Sequence, residues 1–296
     1  MSSLSIDLAA LKAGGIIKQR QEDFFLIRLK VTLGDLTSDQ LVAIGEIARA
    51  HARGRVHITT RQGIEIPWVR FAQVETVTSR LAEVGISLGA CGPRVRVIVA
   101  CQGAAVCPHG LGDTYALAAA LDRRFYGIGG LPHKMKIGVT GCPNACAKPQ
   151  EHDIGFMAVA EPRLDATGEC ISCGLCVRAC RSGAVRLLDG GPVFDLARCY
   201  RDGECINACP TAALASARTG WNVYLGGKWG REPQLGRLFA EFLTNEEALT
   251  LVEAVLESWR RLARPGERLG SLINRIGLEE FRSELTMAGP SYRGQA

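Results

Sequence analysis

The pattern of apolar and polar positions divides the chain into stretches of different period. From Phe24 to Val31 the residues are apolar and rich in β-formers, which predicts a strand. Thr37-Ser38-Asp39-Gln40 has the form of a capping box, and Leu41, Ile44 and Ala48 then share one helical face. Gly54 is placed to end that helix. Arg55 to Ile66 reads as a hairpin turning near Gln62-Gly63, and Val74 to Val84 as a second helix. The order β-α-β-β-α over residues 15–85 predicts a ferredoxin-like sandwich, a fold name that implies no cluster.

Residues 94–160 form a second α/β stretch. Arg94 to Val99, Lys136 to Thr140 and Ile154 to Ala160 read as buried strands, with a helix from Tyr115 to Arg124. The character changes over 168–217, where loops, glycines and cysteines dominate. It changes back at Trp221, where a strand to Leu225 precedes a long helix. A second capping box, Thr244 to Glu247, opens that helix, and Leu249, Val252, Leu256 and Trp259 lie along one face. The cysteine-rich block therefore reads as an insertion into a continuing domain. The polar residues from Thr286 onward read as a loose tail.

Composition narrows the class. With 296 residues and 47% hydrophobic content, the chain can bury one large core or two modest ones. No run of eighteen apolar residues suggests a membrane span, and Met1 to Ala10 lacks the form of a signal peptide. A cytoplasmic protein is expected. The formal charge of +5 comes without a dominant basic run, which argues against a nucleic-acid binder. Twelve cysteines in such a chain point to metal or redox chemistry rather than disulfides.

Their spacing sorts them. Cys101-x5-Cys107 and Cys142-x3-Cys146 are two loop pairs whose four thiolates suit a cubane cluster. Zinc, which more often takes C-x2-C pairs, and buried free thiols are the alternatives. Cys170-x2-Cys173-x2-Cys176-x3-Cys180 is the run of a bacterial ferredoxin. It recurs as Cys199-x2-Asp202-x2-Cys205-x3-Cys209-Pro210, within an internal repeat relating Cys170–Leu187 to Cys199–Ser216. Because the fourth cysteine of each run ligates the other cluster, cluster one takes Cys170, Cys173, Cys176 and Cys209. Cluster two takes Cys180, Cys199 and Cys205, with Asp202 at its fourth position. Carboxylate is a harder ligand than thiolate, so cluster two is expected as an Asp-ligated 4Fe–4S or a 3Fe–4S cluster. A degenerate, metal-free site is the alternative. Cys91 is left over and reads as a small packed residue.

The paired Cys-x5-Cys and Cys-x3-Cys closely resemble the signature of siroheme sulfite and nitrite reductases. Further segments follow in the same order. Thr59-Thr60-Arg61-Gln62 resembles that family's siroheme-contacting turn, Leu131-Pro132-His133-Lys134-Met135-Lys136 its L-P-x-K-x-K segment, and Gly226-Gly227-Lys228-Trp229-Gly230 a late glycine-rich turn. The resemblance covers residues 15–265, apart from the insertion. It extends to small single-repeat members that carry a ferredoxin insertion after the Cys-x3-Cys pair, as in the anaerobic sulfite reductases.

That resemblance implies an α+β protein. A ferredoxin-like half-domain would occupy 1–88 and a siroheme/4Fe–4S domain 89–164 and 218–285. A two-cluster ferredoxin module would lie at 165–217 and a tail at 286–296. It also implies siroheme, with Cys146 as the thiolate bridging cluster and siroheme iron. The substrate anion would meet Arg28, Arg96, Lys134 and Lys136, with Arg94 standing in for Arg96 if the alignment slips. Lys134 and Lys136 alternate on a presumed strand and so share a face. Thr59, Thr60, Arg61, Gln62, Asn144 and Lys228 would contact siroheme. His109 and His133 read equally as structural hydrogen-bonding residues.

The implied activity is reduction of sulfite to sulfide, with nitrite reduction or a non-catalytic electron-transfer subunit as alternatives. No G-x-G-x-x-G in a strand–helix context and no P-loop is present, so a separate electron donor is expected. A single repeat, where larger members have two, implies a homodimer or heteromer.

Overall fold

A computed structural model describes residues 7–286, apart from 167 and 190. The chain divides into two units. One comprises residues 1–99, 118–137 and 259–268, and the other 100–117, 138–258 and 269–296. The expected tail beyond residue 286 lies outside the described residues, as do the first six residues of the segment tested for a signal peptide. Among the described residues no helix is long and apolar enough to cross a membrane.

The first unit opens with α1 (Leu8–Ala13), capped by the Asp7 carboxylate. A four-stranded sheet follows, made of β1 (Ile16–Lys18), β2 (Phe24–Arg28), β3 (His57–Ile58) and β4 (Ile64–Arg70), in the order β1-β2-β4-β3. The β2–β4 and β3–β4 pairs are antiparallel. Helices α2 (Ser38–His51) and α3 (Val74–Glu83) bring the apolar faces that cover it. The expected β-α-β-β-α order is present. Strand β1 and helix α1 come in addition to it.

The period of two is clear in and beyond β2, where Phe25, Ile27, Leu29 and Val31 are all buried. These residues pack with Ile64, Ile66 and Val69 of β4, with Ile44, Ile47 and Ala48 of α2, and with Val77 and Leu81 of α3. The capping box at Thr37 is fully formed. Gly54, at φ 64°, turns the chain so that its N–H reaches the Ala48 carbonyl at 2.9 Å. One helical position differs from expectation. Leu41 is 56% exposed, and Ile47 takes its place in the core.

The second unit contains β7 (Ile154–Leu164), β10 (Leu214–Leu225) and β11 (Arg237–Leu243), part of a sheet ordered β11-β10-β7-β6-β5. Strand β6 is Ile137–Thr140, and β5 is only Val99–Ala100. Arg94–Val99 is thus not a full strand: Val95 makes a single parallel bridge with Met135. Pro93 removes a backbone donor at its start, and Arg94 N–H turns back to the Gly92 carbonyl. Helix α4 (Thr114–Phe125) matches the expected segment.

Strands β7 and β10 form an antiparallel ladder from Ile154↔Leu225 to Leu164↔Leu214, with an irregularity between Ser216 and Arg218. The cysteine-rich block leaves this ladder at Leu164 and rejoins it at Leu214, so β10 already begins inside the block expected to reach residue 217. The block holds α5 (Leu175–Ala179), the hairpin β8 (Val185–Leu188) and β9 (Gly191–Phe194), and α6 (Glu204–Asn207). Helix α7 (Asn245–Leu262) starts at the Thr244–Glu247 capping box. Its buried face includes Leu251, Val252, Val255, Leu256 and Trp259. Helices α8 (Leu269–Ile276) and α9 (Leu278–Thr286) complete the described chain.

These placements predict different costs for three truncations. Ile44→Ala, in the core, is expected to cost about 2–5 kcal/mol, and Thr244→Ala about 1 kcal/mol through its lost cap. Leu41→Ala is expected to stay within about 0.5 kcal/mol. Denaturant midpoints of the three variants test this order.

Candidate metal centres and anion bowl

In the second unit, Cys101, Cys107, Cys142 and Cys146 line one cavity of about 880 Å³. Backbone turns bring them there. Cys101 follows β5, and the Gly141 N–H at the end of β6 donates to its sulfur at 3.1 Å. Thr114 Oγ1 donates to the Cys101 carbonyl at 2.6 Å. Gly103 sits at φ 52°, and a Cβ there would lie 2.5 Å from Thr114 Oγ1, so only glycine fits this loop. Between the other two cysteines the chain turns through Ala145 at φ 56°. Asn144 Nδ2 donates to Cys146 Sγ at 3.1 Å.

Cys142 is buried, Cys101 and Cys107 are half-buried, and Cys146 is exposed. Burial pushes the Cys142 thiol up, and the neighbouring Cys101, Cys107 and Cys146 add to that. A cation between the sulfurs would relieve both effects. Four thiols lining one cavity are the donor set of a cubane cluster.

The cysteine-rich block gathers its thiols in two groups. Cys170, Cys173, Cys176 and Cys209 line one small recess, the set expected for cluster one. Cys205 forms a second group with Cys199, Cys180 and Asp202. Burial, followed by these three neighbours, pushes its thiol up to about 12. The internal repeat extends to the backbone. Positive φ at Ser172, Gly174 and Gly183 recurs at Arg201, Gly203 and Ala212, at the spacing that separates the two cysteine runs. Gly174 and Gly203 cap α5 and α6 in the same left-handed conformation.

The first unit holds a different site, a bowl of about 320 Å³ lined by Arg28, Arg61, Arg96, Lys134 and Lys136 together with Thr59 and Thr60. Among the described residues no carboxylate lines it. Arg28 is held from behind by Glu65, whose Oε1 accepts from Nε at 2.9 Å and from Nη2 at 2.7 Å. Arg28 Nη1 donates to Cys91 Sγ at 2.8 Å. Cys91 is therefore an acceptor as well as a packed residue. Arg61 Nη2 donates to the Val97 carbonyl at 2.9 Å.

Arg96 donates to the carbonyls of Ala90 and Gly92, and its Nε is buried without a hydrogen-bond partner. Burial lowers its pKa from the ordinary arginine value. Lys134 and Lys136 flank Met135, which is fully buried, so both reach the bowl although β6 begins only at Ile137. His133 has its pKa lowered by burial and by nearby Arg268, Lys134 and Arg96.

Several expected residues lie elsewhere. Arg94 donates to the Gly127 carbonyl and is not among the residues lining the bowl. Gln62 holds the hairpin turn at φ 57° and is not among the lining residues. Asn144 lines the thiol cavity. Lys228 lines neither cavity. Its Nζ lies 3.3 Å from Ser271 Oγ and 3.5 Å from Glu232 Oε2. His109 lines the thiol cavity, with Nδ1 2.6 Å from Glu204 Oε1. Glu65 was not expected from the sequence, yet a carboxylate between Ile64 and Ile66 in an apolar strand was a signal. Arg181, Tyr200 and Glu204, which also line the thiol cavity, carried no such signal.

Comparison with known proteins identifies the family. Residues 91–289 match the family described as nitrite and sulphite reductase 4Fe-4S domain, and residues 17–84 match the nitrite/sulfite reductase ferredoxin-like half domain. The chain is 32% identical to the coenzyme F420-dependent sulfite reductase of Methanocaldococcus jannaschii over 92% of its own length, spanning 44% of that protein. It is 31% identical to an anaerobic sulfite reductase subunit of Salmonella typhimurium, over 95% of this chain and 90% of that one. Among solved structures, dissimilatory sulfite reductase I superposes with a TM-score of 0.74 at 20% identity, covering 92% of this chain and 72% of that chain.

The two kinds of cysteine are separable by experiment. Cys142→Ser is expected to lower iron and acid-labile sulfide by about one cluster per chain. Cys91→Ser is expected to leave both unchanged. Metal analysis of anaerobically purified protein checks the pair.

Proposed function

From the premise that the chain belongs to the siroheme sulfite and nitrite reductase family, we propose that it reduces sulfite to sulfide, with electrons entering through the cysteine-rich block. The observation that carries this reading is the presence, in one chain, of a four-thiol cavity and a bowl of five cations lined by no carboxylate. A bare cluster relay has no need of the bowl.

The residues of the thiol cavity would hold a 4Fe–4S cluster, and exposed Cys146 is the sulfur available to a second metal. Siroheme, when bound, would supply an iron able to take the substrate anion and pass it electrons. The bowl does the rest from the protein side. Sulfite and its partly reduced forms are anions that lose oxygen as they gain electrons and protons. Cations fixed before the substrate arrives stabilise charge that develops on those oxygens. Lys134 and Lys136 can hold protons near the departing oxygen. Arg28, held by Glu65 and Cys91, and Arg96, held by two carbonyls, have little freedom to lose on binding. Arg61, Thr59 and Thr60 suit the siroheme carboxylates.

In the cysteine-rich block, Cys170, Cys173, Cys176 and Cys209 would hold one 4Fe–4S cluster. Cys180, Cys199, Cys205 and Asp202 would hold a second, either Asp-ligated 4Fe–4S or 3Fe–4S. A separate donor protein would reduce them, and a further subunit or a second copy of the chain would complete the assembly. Nitrite fits the same cations and is the second reading.

An absorption spectrum of the anaerobically purified protein tests the cofactor: siroheme bands are expected, and their absence leaves only a relay. The ratio of turnover with sulfite to turnover with nitrite separates the two substrates. Lys136→Ala is expected to lower turnover by about 10²-fold with bound siroheme unchanged, and an unaltered rate would remove Lys136 from the substrate site.

A further inference from the structure

The four-thiol cavity is not lined by its own loops alone. Arg181, Tyr200, Asp202 and Glu204, all from the cysteine-rich block, form part of its wall. They belong to or flank the second thiol group. No residue of the first group, Cys170, Cys173, Cys176 and Cys209, lines that cavity. The two groups of the block therefore differ in their relation to it.

Three attachments hold the Cys199–Cys205 loop in that wall. The first is backbone: the Ala160 N–H in β7 donates to the Arg201 carbonyl at 2.9 Å, and Ala160 and Asp202 form a parallel bridge. The second is a charged clamp. The Arg201 guanidinium bonds Glu241 of β11 and lies 3.8 Å from buried Glu161 of β7. Glu161 is also held by Arg218 at 2.8 Å, and both arginines lie over the Phe242 ring. The third joins the ligand loops directly. His109, two residues after Cys107, contacts Glu204, the residue before Cys205, at 2.6 Å. Beside this contact Gly203 packs so close to Leu111 that a Cβ would lie 2.8 Å from Leu111 Cδ2.

In the first group Cys176 is buried, but Cys170 and Cys209 are half-buried and the remaining thiol reaches the surface. Cys173 is exposed, and its neighbour Ile171 is 62% exposed.

On the reading that these thiols hold clusters, we propose that the Cys180/Cys199/Asp202/Cys205 centre is the proximal relay to the four-thiol cluster, and that His109 and Glu204 are the positioning residues that fix its approach. The Cys170/Cys173/Cys176/Cys209 centre is then the outer one, which meets the donor. Electrons pass singly. A low-potential one-electron donor protein is oxidised as the outer cluster is reduced, the outer cluster reduces the proximal one, and the proximal one reduces the four-thiol cluster. Electron transfer slows steeply with distance, so a contact that closes the gap between two ligand loops acts on the rate of the last of these steps. It ligates no iron and touches no substrate.

The test is stopped-flow and rapid-freeze EPR on the full-length, cluster-loaded protein, with dithionite as reductant. In His109→Ala, reduction of the four-thiol cluster is expected to slow several-fold after the outer cluster is reduced. Magnetic broadening between the proximal and four-thiol centres is expected to weaken, with iron per chain unchanged. Glu204→Ala should match it, and the double variant should be no slower than either single, because one contact is lost in all three. Unchanged rates and broadening in His109→Ala would overturn the proposal. So would a double variant slowed by the product of the two single effects. If Glu204→Ala sheds iron from the neighbouring Cys205 centre, His109→Ala, which lies outside the block, decides alone. Iron loss in His109→Ala would show a structural role and also overturn it. An unaltered protein with no iron in the second thiol group would instead defeat the cluster assignment itself.

Discussion

The β7–β10 ladder is the constraint on which the cysteine-bearing unit depends. Its antiparallel register from Ile154↔Leu225 to Leu164↔Leu214 leaves little freedom at either end. Cys142 and Cys146 lie on the chain that leads into β7, and the cysteine-rich block emerges where β7 ends and returns where β10 begins. A slip of one residue would exchange the faces of both strands, and β7 is buried from Ile154 to Pro162. Both sets of thiols inherit their positions from this one pairing. The bond between Ala160 and Arg201 then ties the block back onto the middle of β7, so the insertion is anchored to the strand and not merely hung from its end.

The cation-lined bowl meets a different physical problem. Five cations around one cavity repel each other, and burial adds a desolvation cost, as the lowered pKa of Arg96 shows. The fold offsets this without placing a carboxylate in the bowl. Arg96 and Arg61 are held by backbone carbonyls, which orient a guanidinium without neutralising it. Glu65 lies behind Arg28, out of the lining, and Cys91 supplies a soft acceptor on the same guanidinium. The buried Nε of Arg96, without a hydrogen-bond partner, costs stability.

Much of this was legible in the chain, and the limits have physical causes. Cysteine spacing survives as spatial grouping because ligand loops are short: three of the four outer cysteines lie within seven residues, Cys170 to Cys176. Capping boxes at Thr37 and Thr244 were readable for the same reason, since each is a three-residue interaction. Leu41 was misplaced because Leu41 and Ile47 both fit an apolar stripe beginning near Ile44, and only the partner sheet decides between them. The Arg94–Val99 segment has the composition of a strand, but Pro93 and the turn at Gly92 leave only Val99 to pair in one. The His109–Glu204 contact was beyond reach, because it joins residues 95 apart in sequence.

Asp202 draws these strands together. In the repeat it stands where Cys173 stands in the first half, yet the two positions have different surroundings. Cys173 is exposed, whereas Asp202 forms a bridge with β7, accepts the Glu204 N–H at 3.2 Å and faces the four-thiol cavity. A fourth thiolate there would add another soft, negatively charged sulfur to a group in which burial and neighbouring negative charge already raise the Cys205 thiol to about 12. A carboxylate ionises at much lower pH and asks less of that environment. It also binds iron less tenaciously than sulfur does. Among the described residues of this second group, the departure from the cysteine pattern therefore falls at the position that also lines the four-thiol cavity.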